Sequence, residues 1–94
     1  MIKVKIFIRE KCHKCKQLMP TFERIAYPEK PQGLNCKFYY TNQSDGIAEA
    51  NYYGILGLPA IVIEKREKTK ILKSLTEDNA RMFQLIRKEI EKFK

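Results

Sequence analysis

Ile6-Phe7-Ile8-Arg9-Glu10-Lys11-Cys12-His13-Lys14-Cys15-Lys16-Gln17-Leu18-Met19-Pro20 is where two hydrophobic periods meet. Upstream, Ile2 to Ile8 carries an apolar residue at every even position plus Phe7, the period-2 signal of a strand whose later half is buried on both faces. Downstream, Leu18, Met19, Phe22, Ile25 and Ala26 fall at spacings of three and four, which predicts a helix from Cys12 to Tyr27 with one apolar face. Pro28, Pro31 and Gly33 stop it. A helix that began only at Pro20 would leave both cysteines in a loop. Leu18 and Met19 already belong to the apolar face, so one helix kinked at Pro20 is the preferred reading.

Asn35 to Thr41 is aromatic-rich and reads as a second strand, after which Ser44 and Asp45 offer an N-cap for a short helix closed by Gly54. Leu58-Pro59-Ala60-Ile61-Val62-Ile63 opens a third strand, and Lys70 to Lys73 makes a fourth beyond the charged tip Glu64 to Lys68. Thr76, or Ser74 with Glu77 three residues on, is expected to cap a last helix bearing Met82, Phe83, Ile86, Ile90 and Phe93 on one face. The order strand-helix-strand-helix-strand-strand-helix implies an α/β fold. Its first two strands should be parallel, joined by a right-handed crossover, and a hairpin should add antiparallel strands to the same sheet.

Ninety-four residues bound the chain to a single domain over 1–94 with one modest core. The longest uninterrupted apolar run, Ala60 to Ile63, is far below the ~20 residues of a membrane span, so no membrane role is expected. The start alternates lysine with β-branched residues, unlike a secretory signal, and a cytoplasmic location is expected. Three cysteines cannot all pair within one chain, so at least one thiol is free. The net charge of +8 would suit nucleic acid, an anionic membrane or an acidic protein. The preferred reading is a solvated surface of lysines, among them Lys3, Lys5, Lys30, Lys37, Lys65, Lys68 and Lys88, interleaved with Glu64, Glu67, Glu89 and Glu91. A redox-inactive basic binding module is the rival to an enzyme.

The chemistry points to Cys12-His13-Lys14-Cys15. Residues three apart at a helix start face each other closely enough for a reversible disulfide. The unpaired NH groups and partial positive charge of that terminus favour thiolate over thiol. Lys11, His13, Lys14 and Lys16 add to this, opposed only by Glu10. Cys12 is therefore expected to be the nucleophile, with its thiol acidity increased. Cys15, one turn further in, is expected to be more buried and to resolve the mixed disulfide. Zinc ligation by Cys12, Cys15, His13 and Cys36 competes, but there is no second CxxC and Cys36 falls on a predicted strand, where a cysteine is expected to act as a small buried hydrophobe. Inert core cysteines are disfavoured by the charged neighbours. Phe38, Tyr39 and Tyr40 are expected to pack under helices.

Cys12-His13-Lys14-Cys15-Lys16, then Pro20, Ile25-Ala26 and Tyr53-Gly54-Ile55-Leu56-Gly57-Leu58-Pro59 together resemble the thioredoxin family, from active-site helix to cis-proline loop. The order of elements matches along essentially the whole chain. The resemblance implies a thioredoxin-like, glutaredoxin-sized fold, a four-stranded mixed sheet with helices on both faces. It implies a dithiol-disulfide oxidoreductase of protein disulfides, recycled by a reductase or by glutathione, working as a monomer without metal or organic cofactor. It also implies that the bond before Pro59 is cis and that Leu58 and Pro59 dock the partner chain; a trans proline opening an edge strand is the alternative. Lys11 stands where thioredoxins usually have tryptophan, His13-Lys14 replaces Gly-Pro, and Ile6 occupies the place of their buried aspartate. The chain also lacks the extra N-terminal strand and helix of full-length thioredoxin. Where glutaredoxins carry Gly-Gly and an acidic pair, Lys73-Ser74-Leu75-Thr76 precedes Glu77-Asp78. A glutathione-coupled glutaredoxin is accordingly the second enzymatic reading.

Overall fold

A computed structural model describes residues 1–30, 33–73 and 75–94. The strands are β1 (Ile2–Ile8), β2 (Leu34–Tyr40), β3 (Ala60–Lys65) and β4 (Lys68–Leu72), and the helices are α1 (His13–Ala26), α2 (Ser44–Tyr53) and α3 (Asn79–Glu91). They form one sheet in the order β2-β1-β3-β4. β1 and β2 are parallel, while β3 runs antiparallel to β1 and to β4. The expected mixed architecture is therefore present, and α1 passes through Pro20 without ending.

β1 lies inside the sheet, and its alternation divides the core. Val4, Ile6 and Ile8 pack with Leu18 and Phe22 of α1 and Met82, Ile86 and Ile90 of α3. Phe7 faces the other way, with Tyr39, Ala50, Ala60 and Val62 beneath α2. Its ring stacks on Tyr39 at 5.3 Å. Each large side chain so removed from water contributes about 1.5–3 kcal/mol, which is why the strand carries apolar residues on both faces just before the cysteines.

β3 begins at Ala60 rather than Leu58, and three further elements differ from expectation at their ends, each for a local reason. β2 starts and ends one residue early, because Thr41 leaves the strand while still donating its NH to the Ile8 carbonyl at 2.9 Å. β4 begins at Lys68, since the hairpin narrows to Arg66-Glu67, with Lys65 paired to Lys68 and Arg66 at φ 57°. α3 is capped by Asp78, whose carboxylate accepts from the Arg81 NH at 3.2 Å, rather than by Thr76. The Thr76 hydroxyl accepts the NH of Asp78 at 3.5 Å instead. Pro31 and the alternative cap Ser74 lie outside the described residues.

Neither Ser44 nor Asp45 caps α2. Gln43 occupies that position without a side-chain hydrogen bond, and Asp45 accepts the Gly46 NH at 2.9 Å. Contact with the sheet fixes this helix start: a Cβ at Gly46 would collide with the Tyr40 carbonyl oxygen. Gly54 ends the helix in the left-handed region, φ 67°, as anticipated.

Lys5 departs further from expectation. It is not solvated but lies under α2, its ammonium donating to Tyr53 Oη at 2.8 Å and Glu49 Oε2 at 3.1 Å, with Glu64 Oε1 at 3.9 Å. Tyr53 in turn donates to Glu64 Oε2 at 2.9 Å. Burial alone would lower the Lys5 pKa; the hydrogen bonds to Tyr53 and Glu49 outweigh it and hold the group above the usual lysine range. Burial likewise raises Tyr53, with the bond to Lys5 opposing and the bond to Glu64 adding. Among the described residues no helix is long and apolar enough to cross a membrane.

Candidate active site

Cys12 is the N-cap of α1, in extended backbone (φ −96°, ψ 111°), and not its first helical residue. Its carbonyl accepts the Lys16 NH at 3.1 Å, opening the helical ladder, while its sulfur accepts the Cys15 NH at 3.2 Å. The Cys12 sulfur thus fills the role that serine or aspartate oxygen plays at an ordinary cap. Once the sulfur is reduced, negative charge on it would be met by that NH and by the positive end of the helix. The chain reaches Cys12 through Lys11, which sits at φ 60°, a region costly for a residue with a side chain.

Cys12 and Cys15 are joined by a disulfide, their Cα atoms 5.2 Å apart. Cys12 is half-buried, whereas Cys15 is buried in the core cluster shared by α1 and α3. The difference follows from position: the cap residue stands before the helix, and Cys15 is on the face that carries Leu18 and Phe22. Asn79 steadies this end of α1 by donating its Nδ2 to the Gln17 carbonyl at 2.8 Å. The buried Thr21 hydroxyl donates back to Asn79, at 3.0 Å from its carbonyl oxygen. Two helices are therefore tied together just below the sulfurs.

The peptide bond between Leu58 and Pro59 is cis, as the resemblance implied, and Pro59 is buried. In the antiparallel pairing Phe7 lies opposite Ala60. One step further along this register sets Pro59 beside Ile8, at the end of β1 from which the chain turns toward Cys12. Leu58 is half-buried against both cores. The two motifs, separated widely in sequence, therefore lie at the same end of the sheet.

The cations placed around the cysteines occupy the surface. Lys11, His13 and Lys16 are exposed and Lys14 is half-exposed. Arg9, not picked out from the sequence, is exposed beside them and lines a cleft of about 220 Å³ with Ile47, Asn51, Ile55, Leu56 and Leu58. Leu56 is 100% exposed, so the loop before Pro59 presents an apolar side chain wholly to solvent. The sequence signal for it is an apolar run, Ile55-Leu56-Gly57-Leu58, placed between a helix-ending glycine and a strand-opening proline. Ile6 is fully buried at the place the resemblance gave to a carboxylate. Cys36 is half-buried against the α1–α3 core rather than fully enclosed, and burial pushes its thiol up to about 11. Phe38 and Tyr40, half-buried, line a groove with Met19, Glu23 and Tyr27. Among the described residues no group of three or more His, Cys, Asp or Glu side chains is arranged to hold a metal ion.

Known structures share this arrangement of strands and helices. A thioredoxin of Fasciola hepatica superposes with a TM-score of 0.75 at 18% identity, over 99% of this chain and 81% of that one. The fold is thioredoxin-like. Thioredoxin 1 of Thermosipho africanus superposes with a TM-score of 0.70 at 17% identity, over 95% of this chain and 94% of the other. A mutant thioredoxin of Halobacterium salinarum gives 0.69 at 20% identity, over 93% and 73%. No family model and no curated protein sequence matches the chain. The thioredoxin likeness thus resides in the arrangement of elements, on which this chain sets its own charged surface around the CxxC disulfide.

Proposed function

We propose that the protein is a thiol-disulfide oxidoreductase of disulfide-containing proteins, with Cys12 as nucleophile and Cys15 as resolving thiol. The observation that carries this reading is a disulfide between a half-buried N-cap cysteine and a buried cysteine one turn on, at the start of a helix and at the same end of the sheet as a cis-proline loop. In the reducing direction the Cys12 thiolate attacks one sulfur of the partner disulfide. That bond breaks, the departing sulfur leaves as a thiolate, and a Cys12–partner mixed disulfide remains. Cys15, losing its proton to the thiolate just released or to water, attacks Cys12 Sγ and expels the second partner sulfur. Two electrons pass to the partner, whose two thiolates take one proton from Cys15 and one from water, and the Cys12–Cys15 bond forms.

Leu58 and Pro59 hold the partner chain by its backbone, as in strand addition. Lys11, His13, Lys14 and Lys16 tune the cysteines. No metal or organic cofactor takes part, and an external dithiol, or glutathione, restores the reduced state. A cytoplasmic monomer serving electron transport and redox balance fits this chemistry. In the test, reduced protein catalyses dithiothreitol-driven precipitation of insulin, and Cys12→Ser does not. Equal rates for the two proteins would overturn the proposal. Salt-sensitive nucleic-acid binding retained by Cys12→Ser, without catalysis by either, would establish the basic-module reading.

A further inference from the structure

Arg9, Lys11, Lys14 and Lys16 lie within eight residues of chain around Cys12, with Glu10 the single acid among them. Among the described residues none of these four cations forms an ion pair or side-chain hydrogen bond, whereas Lys5, Lys92 and Lys94 are each paired to glutamates. Unpaired charge of one sign concentrated in the segment that carries a reactive site raises the local concentration of oppositely charged partners. Beside it, Leu56 and Ile47 expose apolar surface along the cleft that also contains Arg9 and Leu58. A cationic collar and an adjoining apolar shelf are wider than two cysteines require.

Resting on the oxidoreductase reading, we infer that the substrates of this site are protein disulfides flanked by acidic residues, with an apolar residue in the same segment seated against Leu56. The shelf favours a polypeptide over a small anionic disulfide such as oxidised glutathione, which would meet the collar and leave Leu56 uncovered. The electron balance is that of the exchange already described; the collar changes which partner reaches Cys12, not the chemistry.

Three peptides test this, each with one disulfide and one leucine, differing only in whether the flanking residues are aspartate, serine or lysine. Oxidation of the reduced protein by each is followed by stopped flow at low and high salt, for the natural chain and for the double variant Lys11→Glu with Lys16→Glu. The expected acidic-to-basic rate ratio is about tenfold or more at low salt, shrinking at 0.5 M salt and inverting in the variant. Dividing the two proteins' ratios cancels the intrinsic reactivity of each peptide and any change in Cys12 itself. Equal ratios in the two proteins overturn the inference while exchange with the serine peptide upholds the oxidoreductase reading. Failure of all three peptides defeats that reading instead. Leu56→Ser is expected to slow the acidic peptide severalfold and leave oxidised glutathione unaffected; a glutathione rate exceeding that of the acidic peptide would overturn the choice of a polypeptide.

Discussion

Lys5 and Lys11 stand on one short run of chain in opposite circumstances. Lys5 points under α2, meeting Glu49, Glu64 and the Tyr53 hydroxyl, with 15% of its side chain accessible. Lys11 stands exposed beside Cys12 with no ion pair among the described residues, in a backbone conformation disfavoured for residues other than glycine. The first lysine fastens a helix to the sheet and is part of the fold. The second, on the function proposed, lends its field to whatever approaches the disulfide. A net charge of +8 is thus the sum of two populations with different work, which no count of lysines separates.

The comparison breaks most sharply at Lys5. Lys5→Met leaves two carboxylates and a phenol without their shared cation, and a loss of about 2–3 kcal/mol in urea unfolding is expected. A loss below 0.5 kcal/mol would make Lys5 an ordinary surface residue. Titration probes the same cluster. The folded chain holds the Lys5 and Tyr53 protons more tightly than the ordinary 10.5 and 10.0 of these groups, and raises Cys36 from 9.0 to about 11. All three shifts are upward, so their contribution is intact below pH ~9 and is lost as pH climbs through the folded values, the loss setting in earliest for Cys36, whose unfolded value is the lowest. Unfolding free energy should be flat from pH 7 to 9 and fall by about 1–2 kcal/mol by pH 10.5. Cys36→Ala should remove the earliest part of that fall, and an unchanged pH profile in this variant would refute the assignment.

Much of this architecture was legible because it is periodic or local. The strand-to-helix change at Cys12, the apolar stripe from Leu18 to Ile25 and the left-handed Gly54 are properties of neighbouring residues. Lys5 was not legible, because its partners at positions 49, 53 and 64 come together only through the sheet and α2. The same holds for Gly46, whose need for space is set by Tyr40 across a turn, and for α3, where Asp78 outcompetes Thr76 by geometry. At the site, the cysteine pair and Pro59 carried a sequence signature. Arg9 and the exposure of Leu56 carried little, since exposure in a loop depends on where the loop is placed.

Two smaller effects sharpen the contrast. Arg66 and Lys11 both sit at positive φ, near 57° and 60°, at opposite ends of the sheet. Glycine at either should relieve about 0.5–1 kcal/mol of backbone strain, read as a raised Tm. Arg66→Gly should leave disulfide exchange unchanged, whereas Lys11→Gly should slow it; equal rates would show that Lys11 has no part in the site. Lys11→Ala with Lys16→Ala should move stability by less than about 0.5 kcal/mol. Its redox potential should become more negative by about 10–30 mV, since the cations favour the reduced pair. The natural protein is expected above thioredoxin's about −270 mV, and a measured value at or below that figure would remove the reason for assigning the cations this role.

The most direct measurement is the rate of alkylation of the freshly reduced protein by iodoacetamide as a function of pH, with the modified sulfur located by mass spectrometry. A thiolate at the cap of α1 predicts that Cys12 reacts first, along a titration curve whose midpoint lies below the ~8.5 of a free thiol. First reaction at Cys15, or a Cys12 midpoint at or above that value, would contradict it.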